Sequence, residues 1–352
     1  MARETFKFST EVGYFLQDEP STDPATFDYV SSNFGLIDRE YNLQSGFPKN
    51  PTQWEKFREQ IEYMNDFPNS DKTDVQYKVL FLGRHGEGVH NVAERRYGTQ
   101  AWDDYWSLLD GDEYGSWVDA RLTEVGISQA KTAHDAWAKQ IKQNIPSPQS
   151  YYVSPLNRCC QTAQVTFEGL DMPLTSPFRP VIKELLRETM GVHTCDSRSK
   201  ASAIAAEFPE YQFEPGFSED DLLYDTKTRE SDEDRNRRLQ TLLNDIFGND
   251  KNIFLSLTAH SGAITSILEV VGHRKFPLQT GAVIPVLVRA EKKQSSSASK
   301  SEVGPQIKAF VEKARRDVEF KRLMEAVGSD RASTEERAAF QKHVDDAADK
   351  DA

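Results

Sequence analysis

The sequence predicts an α/β protein, a three-layer sandwich in which helices cover a mostly parallel central sheet. Short apolar runs alternate along the chain with longer segments of helical spacing, a pattern typical of strand–helix units. Two of the apolar runs lead directly into a histidine followed by small residues, at His85 and His260. Because sites in parallel sheets form at the carboxyl ends of the strands, we expect these two histidines to lie close together.

The predicted strands are short, apolar and bounded by glycine or polar residues. They cover residues 77–82, 151–153, 253–257 and 282–288, and continuous apolar runs of this length indicate buried strands. The last run contains Pro285. A proline cannot donate to the ladder of a sheet, so we expect this strand at an edge.

Apolar residues at near-helical spacing predict the helices. These helices cover residues 54–64, 123–144, 156–167, 199–208, 231–247 and 263–271. Thr123 is a suitable residue to cap the start of the second helix, and Gly248 is a suitable residue to end the fifth.

The two ends of the chain differ in composition from its middle. Residues 1–76 are rich in aromatic and turn residues, and we interpret them as an extension packed on a main domain over 77–290 rather than as a separate domain. The polar stretch over 291–304 predicts a flexible linker. The charged segment over 305–352 is either a helix, which would be a candidate for binding a protein partner, or a solvated and partly disordered tail.

Composition excludes several classes of protein. A formal net charge of -13 argues against a nucleic-acid partner, because the chain would repel the phosphate backbone. No run approaches the roughly 20 apolar residues of a membrane span, and Met1–Thr10 is polar and charged, unlike a secretory signal. We therefore expect no membrane association and a location in the cytoplasm or the nucleus.

Metal and nucleotide sites have no recognisable pattern in the sequence. The three cysteines, Cys159, Cys160 and Cys195, give neither a disulfide framework nor the paired spacing of a zinc site. The chain also lacks the HExxH run of zinc hydrolases and the GxxxxGK[ST] run of P-loop kinases. We expect no metal and no cofactor.

Four short segments carry residues suited to phosphate chemistry. They are LGRHGEGVHN at 82–91, VSPLNRCCQTA at 153–163, ELLRETMGVH at 184–193 and LTAHSG at 257–262. An arginine beside a histidine can hold phosphate oxygens in a two-pronged contact, and helix N-termini after strands offer free N–H groups to an anion. Two strand-end histidines with two arginines would surround one phosphate.

Together with LTEVGISQA at 122–130, these segments resemble the histidine phosphatase superfamily, which includes the cofactor-dependent phosphoglycerate mutases. The resemblance spans about residues 77–290, and the ordered set of segments is far more specific than Arg-His-Gly alone. The first segment looks most like that of the fungal phosphomutase-like branch.

The resemblance assigns a role to each matching residue. His85 matches the nucleophile that forms a phosphohistidine, and it must be neutral at the attacking nitrogen, so we expect an acceptor to hold its other nitrogen. Arg84, Arg158 and His260 match the groups that bind the phosphoryl oxygens, with His260 part of the catalytic set. Asn91 matches a further phosphate contact. No metal is implied, since the arginines supply the counter-charge.

The general acid is Glu188 or Glu184. Glu188, with Gly191 three residues further on, fits the family segment better, and Glu184 is the alternative. Either residue must carry a proton to donate it to a leaving oxygen, and the other would pair with an arginine.

The function that this resemblance implies is a metal-independent phosphatase that hydrolyses a small phosphorylated metabolite through a phosphohistidine. Gly88 and His90 stand where the mutases usually have Ser and Trp, which favours a phosphatase over a mutase. A cofactor-dependent phosphomutase and a non-catalytic binding module on the same fold are the alternatives. His90 itself would either form a wall of the pocket or lie on the surface of a helix.

Overall fold

The computed structural model of the protein describes residues 4–41, 50–66, 74–293 and 333. The predicted tail over 305–352, apart from Ser333, lies outside the described residues, as does the predicted linker beyond residue 293. The division of the chain into extension, main domain, linker and tail therefore stays a prediction.

A seven-stranded sheet and a small two-stranded hairpin form the β-structure of the described residues. The strands are β1 Phe6–Thr10, β2 Val75–Arg84, β3 Gly111–Asp112, β4 Gly115–Ser116, β5 Ser150–Val153, β6 Pro180–Ile182, β7 Gln212–Phe213, β8 Phe254–Ala259 and β9 Val283–Lys292. The order across the large sheet is β1-β9-β2-β8-β5-β6-β7. Five neighbouring strands, from β2 to β7, run parallel, whereas β9 and β1 are antiparallel to their neighbours.

Helices pack on both faces of this sheet. They are α1 Gln53–Asp66, α2 Val89–Tyr97, α3 Thr99–Asp104, α4 Glu124–Ile141, α5 Asn157–Phe167, α6 Ala201–Glu207, α7 Asp232–Asn249 and α8 Ser261–Val270. The predicted fold class, a mostly parallel α/β sandwich, is confirmed. All six predicted helices exist with their ends shifted by a few residues, and Thr123 caps α4 by accepting the N–H of Gly126.

Strand β2 explains why the chain forms two cores. Its fully buried residues alternate between the faces, with Leu80 and Leu82 in one hydrophobic core and Val79 and Phe81 in the other. Side chains of a strand point alternately to opposite faces, so a continuous apolar run serves a sheet that is covered on both sides. The first core is completed by α7 and α8, and the second by α1 and α4.

The prediction that the last strand lies at an edge is wrong. Strand β9 lies between β1 and β2, and Pro285 pairs with Phe81 of β2. The pairing of β1 with β9 stops at Val288, and the carbonyl of Pro285 accepts a hydrogen bond from the side chain of Gln17 instead. The N–H and C=O of one strand residue point to the same side of the strand. The side on which Pro285 lacks a donor is therefore the side away from β2, where β1 no longer pairs with β9.

Two further details differ from the sequence interpretation. Gly248 lies inside α7, which ends at Asn249 with Asp250 as its C-cap, so this glycine does not end the helix. The N-terminal region, in which no strand was predicted, contributes β1, whose Phe6 and Phe8 are buried. Five residues are too few for periodicity alone to identify a strand.

Among the described residues, no helix combines the length and the apolar composition that crossing a membrane requires.

Candidate active site

The two strand-end histidines meet at one edge of the sheet, as predicted. In the parallel ladder of β2 and β8, Arg84 lies opposite Ala259, so His85 and His260 each follow the last paired residue. Their ring centroids are 5.1 Å apart, and both side chains are buried. The backbone N–H of His85 donates to the carbonyl of Ala259 at 3.0 Å, which continues the ladder into the site.

The proton on the His85 ring is located by a backbone carbonyl. Nδ1 lies 2.7 Å from the carbonyl oxygen of Gly86. A carbonyl can only accept, so Nδ1 carries the hydrogen and Nε2 keeps its lone pair. Burial and the positive charges of Arg158 and Arg84 hold the pKa of His85 well below its ordinary value. The imidazole is therefore neutral near pH 7, with one nitrogen free to act as a nucleophile.

The loop after His85 is held by the start of helix α4. Thr123 donates its hydroxyl to the carboxylate of Glu87 at 2.8 Å, and the side-chain oxygen of Gln129 accepts the N–H of Glu87 at 2.7 Å. A β-carbon at Gly126 would lie 2.1 Å from the carbonyl oxygen of Glu87, so only glycine permits this approach. The residues of the LTEVGISQA segment thus position the loop that follows His85 through contacts with Glu87.

Arg158 reaches the site from the first turn of α5, as predicted. Its guanidinium donates to the carboxylate of Asp196 at 3.0 Å and to the carbonyl of Cys195 at 2.7 Å. Burial is the largest single influence and lowers the pKa of Arg158, but Asp196 and the other acidic groups nearby, Glu188 among them, together raise it by more, so the pKa of Arg158 is raised. Asp196 also binds Arg229 at 2.8 Å and so links Arg158 to a second loop.

Arg84 is held more loosely than Arg158. Its Nη1 donates to the carbonyl of Leu278 at 2.7 Å, and its buried Nε, like that of Arg158, has no hydrogen-bond partner. It forms no salt bridge with any residue that the structure describes. Arg84, His85, Arg158 and His260, together called the His85 cluster below, combine two guanidinium cations with two imidazoles at one sheet edge. Such a group suits a phosphoryl anion.

His260 is also held neutral. Its Nε2 lies 2.7 Å from the hydroxyl oxygen of Ser154 and 3.3 Å from the sulfur of Cys159. Burial, together with Arg158 and the neighbouring histidines, holds the pKa of His260 well below its ordinary value. Burial raises the pKa of the Cys159 thiol, so this cysteine stays protonated and is not a competing nucleophile.

The two candidate acids lie in different surroundings. Glu184 is ion-paired with both Arg187 and Arg198 at 3.0 Å, which is the role expected of the residue that is not the acid. Glu188 is half-buried, and its Oε2 accepts the N–H of Gly262 at 3.0 Å. Gly262 is the second residue of α8 and lies two positions after His260. The Glu188 carboxylate therefore lies at the edge of the His85 cluster.

The remaining polar residues of the first segment turn towards the site. Asn91 accepts the N–H of Gly88 at 3.0 Å through its side-chain oxygen, which leaves its amide NH₂ for a ligand. His90 is buried, with its ring centroid 5.5 Å from that of His85. Of the two interpretations left open for His90, the structure therefore supports the pocket wall.

One nearby group has the spacing of a metal site. The possible ligand atoms of His193, Cys195 and Asp196 lie within 4.8 Å of one another. Both oxygens of Asp196 already face guanidinium groups, and burial raises the pKa of the Cys195 thiol. Arg158 and Arg229 would repel a cation here, so these residues fit a structural role better than metal binding.

Sequence reasoning missed the groups that hold the site residues in place. Asp196 fixes Arg158, Ser154 contacts His260, and Thr162 accepts the N–H of Gly86 through its hydroxyl at 3.0 Å. Ser154 and Thr162 belong to the VSPLNRCCQTA segment, so the pattern contained them without assigning their roles. Nothing in the sequence pairs Asp196 with an arginine 38 residues away.

Comparison with known proteins agrees with this arrangement. Residues 80–281, more than half of the chain, match the family model described as histidine phosphatase superfamily, branch 1. The chain belongs to the histidine phosphatase superfamily. The predicted resemblance is thereby confirmed, and the matched residues include every member of the His85 cluster.

Three fungal proteins illustrate the branch of the superfamily to which this chain is similar. A probable phosphoglycerate mutase of Arthroderma benhamiae is 57% identical over 288 residues, covering 81% of this chain and 84% of the relative. The phosphomutase-like protein 3 of Candida albicans is 33% identical over 289 residues, covering 81% of each. A probable phosphoglycerate mutase of Saccharomyces cerevisiae is 37% identical over 246 residues, covering 64% of this chain and 83% of the relative.

Proposed function

We propose that this histidine phosphatase hydrolyses a small phosphomonoester through a phosphohistidine on His85, without a metal ion. The observation that carries the proposal is the state of His85, a buried neutral imidazole whose Nδ1–H is held by the Gly86 carbonyl. Its free Nε2 lies among groups that attract a phosphoryl anion.

The proposed reaction has two steps. The lone pair of His85 Nε2 attacks phosphorus, the bond from phosphorus to the leaving oxygen breaks, and Glu188 gives its proton to that oxygen. A water molecule then attacks the phosphohistidine, Glu188 takes the proton from the water, and the P–N bond breaks to release inorganic phosphate. Arg84 and Arg158 stabilise the charge on the phosphoryl oxygens throughout, in place of a metal.

The charges around Glu188 favour a phosphatase. Arg187, Arg229, Arg235 and Arg238 surround its loop, and each forms an ion pair with a carboxylate. A bisphosphate that reloads a mutase would need cationic groups for its second phosphate. Arginines that are already neutralised by carboxylates serve that purpose poorly, whereas a monophosphate needs only the His85 cluster.

The deciding experiment measures hydrolysis of p-nitrophenyl phosphate in the presence of EDTA by wild type and by His85→Ala. We expect turnover by wild type in EDTA, and a loss of at least about 10³-fold in His85→Ala because the substitution removes the proposed phosphoryl acceptor. Turnover that EDTA abolishes would disprove metal independence. Full turnover by His85→Ala would disprove the role of His85.

A phosphomutase is the second candidate, since two of the relatives are named as probable phosphoglycerate mutases. The discriminating assay supplies a phosphoglycerate with and without the corresponding bisphosphate and follows the products. A phosphatase releases inorganic phosphate without the bisphosphate. Isomerisation that depends on the bisphosphate, without phosphate release, would assign the mutase instead.

A further inference from the structure

His90 is a third histidine of the site. It lies in the first turn of α2, and its ring centroid is 5.5 Å from that of His85 with the ring planes at 50°. The His85 ring therefore has His90 and His260 as neighbours at similar distances. His90 is 9% exposed, so it faces the interior of the site rather than the surface of the helix.

The place of the His90 ring depends on Gly88. A β-carbon at position 88 would lie 2.6 Å from Nδ1 of His90 and 2.7 Å from its Cε1, closer than real β-carbons come to other atoms. Gly88 has an ordinary extended backbone with φ of -98°, so its backbone conformation does not require glycine. The residue is small because the imidazole of His90 occupies the space of a side chain.

His90 differs from the histidines that have a purely structural place. His273 contacts the carbonyl of Arg274 at 2.6 Å and the carboxylate of Asp18 at 3.3 Å. His134 contacts the carbonyl of Thr166 at 3.1 Å. Nδ1 of His90 is buried without a hydrogen-bond partner. Because buried polar groups normally have partners, an unpartnered one inside a binding site indicates a missing ligand.

The electrostatic surroundings of His90 determine its protonation state and therefore its hydrogen-bonding groups. Burial, with Arg158, His85 and Arg84 nearby, holds the pKa of His90 well below its ordinary value. The ring is therefore neutral near pH 7, with one N–H donor and one acceptor nitrogen. Phosphoryl oxygens only accept hydrogen bonds, so they would engage the N–H.

We propose that His90 is a phosphoryl-binding residue, in which one ring nitrogen donates its N–H to an oxygen of the phosphoryl group carried by His85. Gly88 and His90 then form one unit, since the glycine admits the ring that makes the contact. The N–H stays on His90 throughout, so this contact requires no proton transfer. The assignment rests on the proposed function, because it places the phosphoryl group on His85.

The experiment measures the affinity of the full chain for orthovanadate and inorganic phosphate by titration calorimetry, which does not depend on turnover. His90→Phe keeps a ring of similar size but removes the donor, and we expect it to bind both anions roughly ten- to a hundredfold more weakly, because a hydrogen bond to a charged group is lost. His90→Gln keeps a donor and should recover part of the affinity. His134→Phe is the matched control and should bind like wild type.

Gly88 is tested through a double-mutant cycle. Gly88→Ala should weaken anion binding in wild type by displacing the His90 ring, but should have no further effect in a His90→Ala background. An equal effect of Gly88→Ala in both backgrounds would show that the backbone of the loop, and not the ring, is responsible.

The outcomes for His90 and for the proposed function are separable. Normal anion affinity of folded His90→Phe, with monoester hydrolysis by wild type, would overturn the His90 assignment alone. Weakened affinity of His90→Phe, with no hydrolysis of any monoester by wild type, would support His90 while the phosphatase proposal fails. Wild type that binds neither anion would overturn both.

Discussion

Two neighbouring buried regions use arginine in opposite ways. In the ion-pair cluster, formed by Glu184, Arg187, Arg198 and Asp221, each guanidinium faces a carboxylate at 2.6 to 3.0 Å. In the His85 cluster, Arg84 donates to a backbone carbonyl, Arg158 shares Asp196 with Arg229, and the imidazoles are neutral. Opposite charges balance in the first region, whereas positive charge exceeds negative charge in the second.

This difference in charge balance distinguishes a region that stabilises the fold from a candidate ligand-binding region. Buried charges are tolerated when they are paired. In the ion-pair cluster every charge has a partner of opposite sign, although Nε of Arg187 has no hydrogen-bond partner. The His85 cluster has an excess of positive charge that the described residues do not balance. Such an excess is what the proposed binding of a phosphoryl anion requires.

Removal of a cation from the ion-pair cluster should have the largest effect on stability. Arg187→Met leaves Glu184 and Asp221 without their shared partner, so we expect the free energy of unfolding to fall by about 3–5 kcal/mol. Urea denaturation measures the change. Arg237→Met, which changes an exposed arginine of α7, serves as the control and should have little effect. A loss below about 1 kcal/mol would show that the cluster does not stabilise the fold.

The same substitution in the His85 cluster should act on turnover. In the proposed reaction Arg158 stabilises the transferring phosphoryl, so for Arg158→Met we expect kcat/KM for p-nitrophenyl phosphate to fall by about 10²–10³-fold. Stability should fall less than in Arg187→Met, because Asp196 keeps its ion pair with Arg229. Denaturation and steady-state kinetics on one preparation compare both quantities, and unchanged kinetics would remove Arg158 from the reaction.

Substitution of the two glutamates, Glu184 and Glu188, should affect different properties of the protein. Glu188→Gln should lower turnover by about 10²-fold for an alkyl phosphate, whose leaving oxygen needs a proton, and much less for p-nitrophenyl phosphate. Glu184→Gln should instead lower the free energy of unfolding, since it weakens ion pairs with Arg187 and Arg198. Equal losses on both substrates in Glu188→Gln would exclude it as the acid.

The contributions of the two regions to the free energy of unfolding should be lost over different pH ranges. The pKa values of His85, His90 and His260 are all lowered by burial and by Arg158. Below about pH 6.5 the unfolded chain binds protons that the native chain does not. Stability therefore falls with decreasing pH, by up to about 1.4 kcal/mol per pH unit for each histidine.

The ion-pair cluster should respond only at lower pH. Arg187 contributes to a lowered pKa of Asp221, although burial opposes the shift. The resulting stability is fully present above the unfolded pKa near 4 and is lost as the pH falls through the folded value. Urea denaturation between pH 4.5 and 7.5 isolates the histidine effect, and His90→Phe should reduce its slope. A stability independent of pH over this range would contradict neutral buried histidines.

The sequence alone was sufficient to identify four of the seven strands of the sheet, its main helices and the strand ends at which the two histidines meet. Apolar runs such as residues 77–82 and the capping residue Thr123 depend on local periodicity and hydrogen bonding, which a sequence displays directly. The predicted edge position of the last strand was wrong because Pro285 lies in a part of β9 beyond the end of β1, where no neighbouring strand needs its N–H. Strand β1 itself was missed because its pairing partner, β9, is more than 270 residues away.

What the sequence determined about this protein is its family, its fold class and the residue types of the His85 cluster. Contacts in the folded chain show which ring nitrogen of His85 is free, that Glu184 is bound to arginines while Glu188 accepts the N–H of Gly262, and that His90 occupies the space left by Gly88. The physical reason is that protonation state and pairing depend on burial and on neighbours brought together from distant parts of the chain. Residue spacing along the chain does not determine which residues become neighbours in the folded protein.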